Sequence, residues 1–591
     1  MTANTSEKAV PNTVTPELAL AGLGALAVAT LAGCGGGGGE GGGGASASGG
    51  GEPEAVVVAA NTITGITIRE VNDAVVTIDG SANLAVSLAD PGPQGGEKEM
   101  SLVVRPVGVP ALRAVGGPTR LTILINPDPS DVVADHPTKS ATARATLAHL
   151  GFPPSWDELA AHLPLAPAAI IARALARMSP TPQEAYPAWI DGRIKSWEEI
   201  RFLSDAVKKD LQDQKYERRQ AFKGWWFRQM VTSSDTLTER LLLFWHNLYA
   251  TSASAVEDPE LIARQQRLYR IHLNGNLKDF LYAMSRDPGM CQYLDSARNL
   301  KAAPNENFAR ELMELFTLGE RNQYGGYAES DVADLAKFFT GYHLDQHQAF
   351  VFNQAEHETA GLTLFGQSRA SDGLDGTKDG DWAIDQILAK NDSGGHSYAA
   401  SYLVTRLWQE FLGLPTAPAD LNRIQVLADR LANPVDFNWD LQKLYKDFFA
   451  SSAFVDPARR GKRIRSPVEL YVGFYRPLDL QPTEWTRHLW MCYSLDQDIL
   501  DPPNVFGWAG GASWINLKTV VDRRHFFRWL QWDDTIKPQP LTELPLRLHG
   551  ILKLLLLAIP PVDPPITNPW ELEQINYQVG HLLTDPAYNL G

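Results

Sequence analysis

The stretch NENFARELMELFTLGE, Asn305 to Glu320, mixes charged and strongly apolar side chains in an unusual way. Wound as an α-helix of about 3.6 residues per turn, it gathers its polar residues within roughly 140° of arc. Those residues are Glu306, Asn307, Arg310, Glu311, Glu314 and Thr317. Phe, Leu, Met and Ala fill the rest of the circumference. The stretch therefore predicts a core-like helix with a narrow polar stripe, which either faces water or lines a buried site.

A second stretch, TLTERLLLFWHNLYATS from Thr236 to Ser252, has the same design. Its polar face holds Glu239, Arg240, His246 and Asn247. Large apolar residues surround that face on the other sides of the helix. Two helices that each carry a thin polar stripe favour a shared internal site. We expect the Glu311 stripe to be buried and shared with the His246 helix.

The side chains of such a shared site suggest two kinds of role. Glu311, Glu314, His246 and Arg310 are the candidates for chemistry, with carboxylate acid/base, imidazole proton transfer and cation clamping as their functions. The same set would suit a divalent metal, whose identity the sequence leaves unknown. A buried network of ion pairs that holds the helices in register is the alternative interpretation.

Composition limits the functional classes. The chain has 591 residues, 44% hydrophobic and 21% charged, so a large core with accessory segments is expected. Its net charge of −16 argues against a nucleic-acid partner, because phosphate binding needs a basic surface. The sequence has no phosphate-binding glycine loop, GxSxG elbow, HExxH helix or CxxC pair.

The N-terminus has the pattern of an export signal. An apolar run ends in LAGC, Leu31 to Cys34, and resembles a bacterial lipoprotein signal over residues 1–34. A Gly/Ser-rich linker follows at 35–52, and such a tether lets a domain stand off a membrane. We therefore expect lipidation at Cys34, export, and a lipid anchor in the cell envelope, at the outer membrane or cell surface.

The rest of the chain divides by texture. Residues 53–130 alternate β-branched residues with turn residues, which predicts a small, sandwich-like β module. Residues 138–591 show helical periodicity, interrupted at 353–397 by a Gly- and Asp-rich segment predicted as a long loop. The predicted fold is thus mainly α: a large multi-helix domain after a disordered Gly-rich leader and the β module.

Five sequence motifs resemble those of a known protein family. In order they are ERLLLFWHNLYATS, SRDPGMCQYLDSARNLKAAPNENFARELMELFTLGE, GGYAESDVADLAKFFTGY, RIRSPVELYVGFYR and DPPNVFGWAGGASWIN. From roughly Ala141 to the C-terminus the chain resembles the bacterial family called domain of unknown function 1800 (DUF1800). The resemblance implies a mostly helical and often exported protein, and the family has no established activity.

The same resemblance places the family's signature polar groups on this chain. They fall at His246, Asn247, Asp295, Asn305, Glu306, Asn307, Arg310, Glu311, Glu314, Asp331, His357, Ser466, Glu469, Asn504, Trp508, Trp514 and Asn516. Two positions depart from the family pattern. Leu248 stands where a second histidine is common, which weakens a two-histidine metal site, and Glu358 replaces an Asp.

Among these groups, eight are the candidate binding residues. They are Asn247, Asn305, Glu306, Asn307, Asp331, His357, Trp508 and Trp514. The loop with Trp508 and Trp514 would bind a sugar ring or else anchor itself with buried Trp. Two functions stay open: an envelope enzyme or metal-binding protein, or a non-catalytic assembly or binding factor for exported polymers or partner proteins, with structural polar stripes. The expected partners are a membrane, through the lipid, and an envelope protein or polysaccharide.

Overall fold

A computed structural model describes residues 137–321, 326–371, 373–478, 480, 485–530 and 581–590, with short strands between residues 65 and 121. Contacts divide the chain into two compact units, 1–136 and 137–591. The predicted signal segment with Cys34, the linker 35–52 and the sandwich packing of the β module lie outside the described residues.

The first unit is described only as short strands. These are β1 Gly65–Ile66, β2 Thr77–Ile78, β3 Ala82–Asn83, β4 Ser87–Asp90, β5 Gly96–Glu99 and β6 Arg120–Leu121. β1 pairs with β6 in parallel, whereas β2 with β3 and β4 with β5 are antiparallel. The described strands agree with the β texture predicted for this part of the chain.

The second unit is mainly helical, as predicted. Its first half contains α1 Pro137–Leu150, α2 Trp156–His162, α3 Pro167–Arg177, α4 Trp197–Arg201, α5 Asp205–Thr232, α6 Thr236–Leu248, α7 Ala253–Val256, α8 Pro259–His272, α9 Leu277–Ser285, α10 Pro288–Tyr293 and α11 Asn307–Glu311. A π-helix, Leu312–Thr317, follows α11 directly. Among the described residues, no helix has both the length and the apolar composition needed to cross a bilayer.

The second half of this unit adds two small hairpins to the helices. It contains α12 Glu329–Phe338, β7 Tyr342–Leu344, β8 Phe350–Phe352, β9 Leu362–Leu364, β10 Gln367–Arg369, α13 Thr377–Leu388, α14 Tyr398–Leu412, α15 Pro418–Ala432, α16 Leu441–Phe449, α17 Ser452–Val455, α18 Pro467–Tyr475, α19 Trp485–Ser494 and α20 Leu517–Leu530. β7 pairs with β8 and β9 with β10, both antiparallel.

Helix α6 lies at the centre of the core. Its N-terminus is capped by Asp235, whose carboxylate accepts from the amide of Thr238 at 3.1 Å. All of its residues except Asn247 are buried, and it packs against α5, α8, α1 and α3. The polar face predicted for this helix is therefore enclosed by protein, and each charge on it needs a partner.

The prediction of a long loop at 353–397 is wrong. That segment contains the hairpin β9–β10 and helix α13. Ala383, Ile384 and Ile387 recur at helical spacing and are fully buried, which supplies the apolar face that the Gly- and Asp-rich composition obscured.

The segment Asn305 to Glu320 is not one uniform α-helix. It starts as α11 and widens into the π-helix, where the amide of Leu318 donates to the carbonyl of Met313, five residues back, at 2.8 Å. The hydroxyl of Thr317 donates to the carbonyl of Leu312 at 2.5 Å. Side-chain competition for a backbone carbonyl explains the widened turn, which the polar–apolar pattern does not reveal.

Candidate functional site

His246 lies in an aromatic enclosure. Its ring centroid is 5.7 Å from that of Trp226 and 5.6 Å from that of Trp508, and only 1% of the residue is exposed. Burial lowers the pKa of His246 to about 4, against the opposing charge of Asp501, so the imidazole is neutral at neutral pH. Its Nε2 has no hydrogen-bond partner among the described residues.

Asn247 fastens the loop that carries Trp508. Its Oδ1 accepts from the amide of Trp508 at 2.6 Å, and its Nδ2 donates to the carbonyl of the same residue at 3.3 Å. Gly507, at φ +76°, lets the loop approach this closely, because a Cβ there would collide with Oδ1 and the carbonyl of Asn247. The structure thus brings two predicted binding residues, Asn247 and Trp508, into direct contact.

Next to His246 lies a carboxylate pair on a buried lysine. The ammonium of Lys223, in α5, is 2.6 Å from Asp498 and 3.6 Å from Asp501, and its side chain is 3% exposed. Asp501 also accepts hydrogen bonds from the hydroxyls of Ser252 and Ser254, the latter at 2.6 Å. One cation therefore serves two carboxylates whose surroundings differ.

The different surroundings shift the pKa values of the two carboxylates in opposite directions. Burial and the charge of Asp501 raise the pKa of Asp498, although Lys223 opposes the rise. Burial also acts on Asp501, but hydrogen bonds from Ser252 and Ser254 together with Lys223 lower its pKa below the ordinary value. Neighbouring carboxylates with separated pKa values are a common arrangement of acid/base sites.

The backbone between these carboxylates is strained. Asp496 and Leu500 adopt φ of +70° and +64°, in the left-handed region that costs L-residues free energy. This turn presents Asp496, Asp498 and Asp501 towards one cavity, and we call residues 496–501 the Asp turn. Such strain persists where packing enforces it and is frequent at functional sites.

The Asp turn forms part of the wall of a cavity of about 1110 Å³, which we call the acidic cavity. Its polar lining includes Ser252, Ser254, Asp496, Asp498, Asp501, Lys518 and Asp522. Trp490, Tyr493 and Trp508 supply aromatic surface. Trp490 and Tyr493 are 66% and 60% exposed, unusual for large aromatic side chains. The cavity therefore combines open aromatic faces with carboxylates.

The predicted Glu311 stripe is half-exposed rather than buried. Arg310 pairs with Glu306 at 3.0 Å, with Glu314 at 3.7 Å and with Glu329, all of them partly exposed. Burial and then the charge of Glu314 raise the pKa of Glu311 to about 7, and Arg310 opposes this rise. The expectation that this stripe is buried is therefore wrong, because its side chains lie at a partly open surface.

The Glu311 stripe and the His246 helix are not joined by a hydrogen bond or ion pair in the described part of the chain. Tyr293, at the end of α10, provides the link between their surroundings. Burial raises its pKa, and the charges of Asp501 and Glu311 raise it further. The charges of both regions therefore act on Tyr293, although no described hydrogen bond or ion pair connects Glu311 with His246.

Several other predicted binding residues have structural partners. Asn305 accepts from the amide of Asn307 at 2.9 Å, and Asp331 accepts from the amide of Ala328 at 2.7 Å, so both arrange helix starts. His357 is 1% exposed, with Nδ1 2.7 Å from the carbonyl of Thr340.

The other ring nitrogen of His357 faces Asp379. Its Nε2 lies 3.3 Å from that carboxylate, which Arg369 also contacts at 2.8 Å. These contacts tie α13 to the β-hairpin segment. These contacts explain the buried position of His357, and they require no ligand.

Trp514 lies in a second cavity, of about 860 Å³. Trp508, Asn247, Arg406 and Lys462 also line this second cavity. Trp508 therefore lies between the two cavities. Of the predicted aromatic pair, only Trp508 lines both.

The polar face of α6 forms an ion-pair network in its N-terminal half. Glu239 pairs with Arg270 at 2.7 Å and accepts from Trp226 at 3.1 Å, with both charged side chains 1% exposed. Arg240 pairs with Glu410 at 2.7 Å and Glu469 at 2.8 Å. Glu239 and Arg240 therefore belong to a buried ion-pair network that holds α6 against α8 and α18, which is the alternative interpretation of this polar face.

Sequence reasoning missed Lys223, Asp498 and Asp501. Lys223 stands in a long helix that carries several other lysines and arginines, and the aspartates lie in a segment with the composition of a turn. The available signal was the acidic run DQDILDPP directly before the Trp508 motif. Within the described residues, no cluster of three or more His, Cys, Asp or Glu side chains could hold a metal ion.

Fold and site together define a mainly helical protein with an acidic, aromatic cavity beside a clamped Trp loop. The chain belongs to the DUF1800 family, described as a protein of unknown function, whose model matches residues 145–584. Comparison with curated proteins gave no match, and neither did comparison with solved structures. The family assignment agrees with the motifs found in the sequence.

Proposed function

We propose that this protein binds a carbohydrate polymer at the cell envelope, in the acidic cavity. The observation that carries the proposal is the pair of open aromatic side chains, Trp490 and Tyr493, beside the carboxylates of the Asp turn. Aromatic faces stack on the apolar faces of sugar rings, and carboxylates accept hydrogen bonds from sugar hydroxyls.

The dimensions of the cavity suit an oligomer. Small-ligand pockets typically occupy ~300–1,000 Å³, and the acidic cavity, at about 1110 Å³, exceeds that range. Several sugar rings would fit beside the exposed aromatic side chains and the two carboxylates that are paired with Lys223. The clamp from Asn247 holds Trp508 in place, so the wall is formed before the ligand arrives.

Export and lipid anchoring at Cys34 belong to the same proposal. The LAGC sequence and the glycine tether support them. A protein held at the outer membrane or cell surface meets exported polysaccharide directly, which agrees with a binding role for the cavity.

The binding proposal is tested with purified full-length protein and hexamers of neutral N-acetylglucosamine, by calorimetry. Trp490→Ala is expected to weaken binding about tenfold, since a lost aromatic stack is worth ~0.5–1.5 kcal/mol and more with its buried area. Trp197→Ala is the matched control, because Trp197 is equally open at 70% exposure but is not among the residues lining the cavity. Equal binding by both variants would contradict the proposal.

A second candidate function is hydrolysis of a glycosidic bond in the same cavity. The separated pKa values of Asp498 and Asp501 on one lysine favour it. Asp498 would protonate the leaving oxygen as its bond to the anomeric carbon breaks, while Asp501 accepts a proton from the water that attacks this carbon. Asp498→Asn should then abolish release of shorter oligomers, followed by chromatography of the products, while weakening oligomer binding by much less. Binding without turnover by the wild type would leave the protein a binding factor.

A further inference from the structure

The charge of the acidic cavity is one-sided. Its lining includes a single cation, Lys518, against four carboxylates, those of Asp496, Asp498, Asp501 and Asp522. The lining therefore carries three more negative than positive charges. Lys223 is buried behind this wall and serves the deeper carboxylates, and the charge of Arg219 also acts to lower the pKa of Asp498.

Asp496 and Asp522, which we call the rim carboxylates, have weaker partners than the deeper pair. Asp496 accepts from the side-chain amide of Asn516 at 3.3 Å. Asp522 lies 3.3 Å from the ammonium of Lys518, a lysine that is itself exposed. Long contacts to exposed partners are easily exchanged, so the rim carboxylates remain free to bind a cationic group of a ligand.

A second, independent observation concerns Trp508, which lines both this cavity and the second cavity. Trp508 lines the cavity and is 4% exposed, yet its indole N–H has no hydrogen-bond partner among the described residues. A buried donor without a partner costs free energy, which a ligand oxygen would recover. The exposed faces of Trp490 and Tyr493 would in addition attract a cation through their π-electrons.

We propose that the polymer bound in the acidic cavity is an amino sugar polymer, recognised through its ammonium groups. The inference rests on the carbohydrate-binding function proposed above and specifies its ligand. The rim carboxylates bind the ammonium groups, the aromatic faces stack on the rings, and the indole N–H of Trp508 donates to a ring or hydroxyl oxygen.

The experiment compares two hexamers of equal length with purified full-length protein at about pH 6, where a sugar amine is protonated. The hexamer of glucosamine is charged, and the hexamer of N-acetylglucosamine is its neutral counterpart. The charged hexamer is expected to bind about tenfold tighter, and the preference should shrink between about 20 mM and about 500 mM salt. Spermine, a cation without a sugar ring, is expected to bind more weakly than the charged hexamer.

Variants separate the cavity from the general negative charge of the protein. Asp496→Asn and Asp522→Asn should each weaken binding of the charged hexamer several-fold more than binding of the neutral hexamer. Asp205→Asn is the control, because Asp205 is fully exposed at the start of α5 and is not a lining residue. An equal effect of the control variant would overturn the inference.

The remaining outcomes are also decisive. Equal affinity for the two hexamers would overturn the amino sugar inference and leave the carbohydrate proposal standing. Spermine binding as tightly as the charged hexamer would overturn recognition of the sugar. Binding of neither hexamer would overturn both proposals.

Discussion

His246 is held neutral by burial, and this has a definite consequence for stability. Its pKa falls from 6.5 to about 4 on folding. Between these values the unfolded chain binds a proton that the folded protein does not, so stability falls as the pH drops from 6.5 towards 4. The full effect corresponds to about 3 kcal/mol.

Replacing His246 by glutamine should remove this contribution to the pH dependence of the free energy of unfolding. The variant is expected to lose less stability than the wild type between about pH 7 and about pH 4, as measured by urea unfolding. His149 shows the same direction of pKa change, so only the difference between the two proteins is informative. His396→Gln is the control, because a hydrogen bond with Asp429 raises the pKa of that exposed histidine. Parallel pH profiles for wild type and His246→Gln would contradict the argument.

Glu311 should show the opposite dependence on pH. Its pKa rises from 4.5 to about 7 on folding, so the folded protein holds a proton that the unfolded chain releases at lower pH. Stability is therefore lost as the pH rises from 4.5 to about 7. Glu311→Gln should stabilise the protein by about 1 kcal/mol at about pH 8 and by little at about pH 4.5, after allowance for its partial exposure. Urea unfolding at both pH values checks this, with the exposed Glu217→Gln as control.

At the scale of elements, the Trp508 loop depends on one asparagine. Asn247→Ala removes both hydrogen bonds to the backbone of Trp508 and should cost about 1–3 kcal/mol. Asn247→Asp keeps the acceptor for the amide of Trp508 and loses only the weaker bond, so it should cost less. Unfolding free energies and affinity for the neutral hexamer should follow the same order. An equal cost for the two variants would mean that the clamp is not what holds the loop.

The sequence predicted the helices but not how they are modified locally. The apolar periodicity of α6, α14 and α15 predicted their existence, because burial of one face largely determines a helix. A hydrogen bond from the hydroxyl of Thr317 accompanies the widened turn at Leu312–Thr317. The glycines and aspartates at the start of α13 obscured its helical pattern.

The site was predicted in part for a similar reason. His246 and Asn247 were predicted as polar residues on an apolar helix, and Trp508 as an aromatic residue of a Pro- and Gly-rich loop. In the structure these three residues lie next to one another. Lys223 and Asp498 come from segments 275 positions apart, and one sequence does not reveal such a pairing. The Glu311 stripe was correctly located on a helix, but the neighbours that leave it half-exposed are set by tertiary packing.

At the scale of the whole molecule, the helical unit and the proposed anchor at Cys34 should be separable. Residues 137–591 form a compact unit with its own core, whereas Cys34 belongs to the segment before it. If Cys34 carries a lipid, each buried methylene adds about 0.8 kcal/mol of membrane affinity. Cys34→Ser should therefore move the protein from the membrane fraction to the soluble fraction and abolish incorporation of labelled palmitate.

The same variant is expected to leave the helical unit unchanged, since residues 137–591 form a compact unit with their own buried core. Its melting temperature and its affinity for the neutral hexamer are expected to equal those of the detergent-solubilised wild type. Cys291→Ser is a matched control for the change of thiol to hydroxyl, because Cys291 is buried in the helical unit and should affect melting but not membrane attachment. Continued membrane attachment of Cys34→Ser would contradict lipidation of this cysteine as the cause of attachment. Another contact of the protein with the membrane would then have to place the cavity near its polymer.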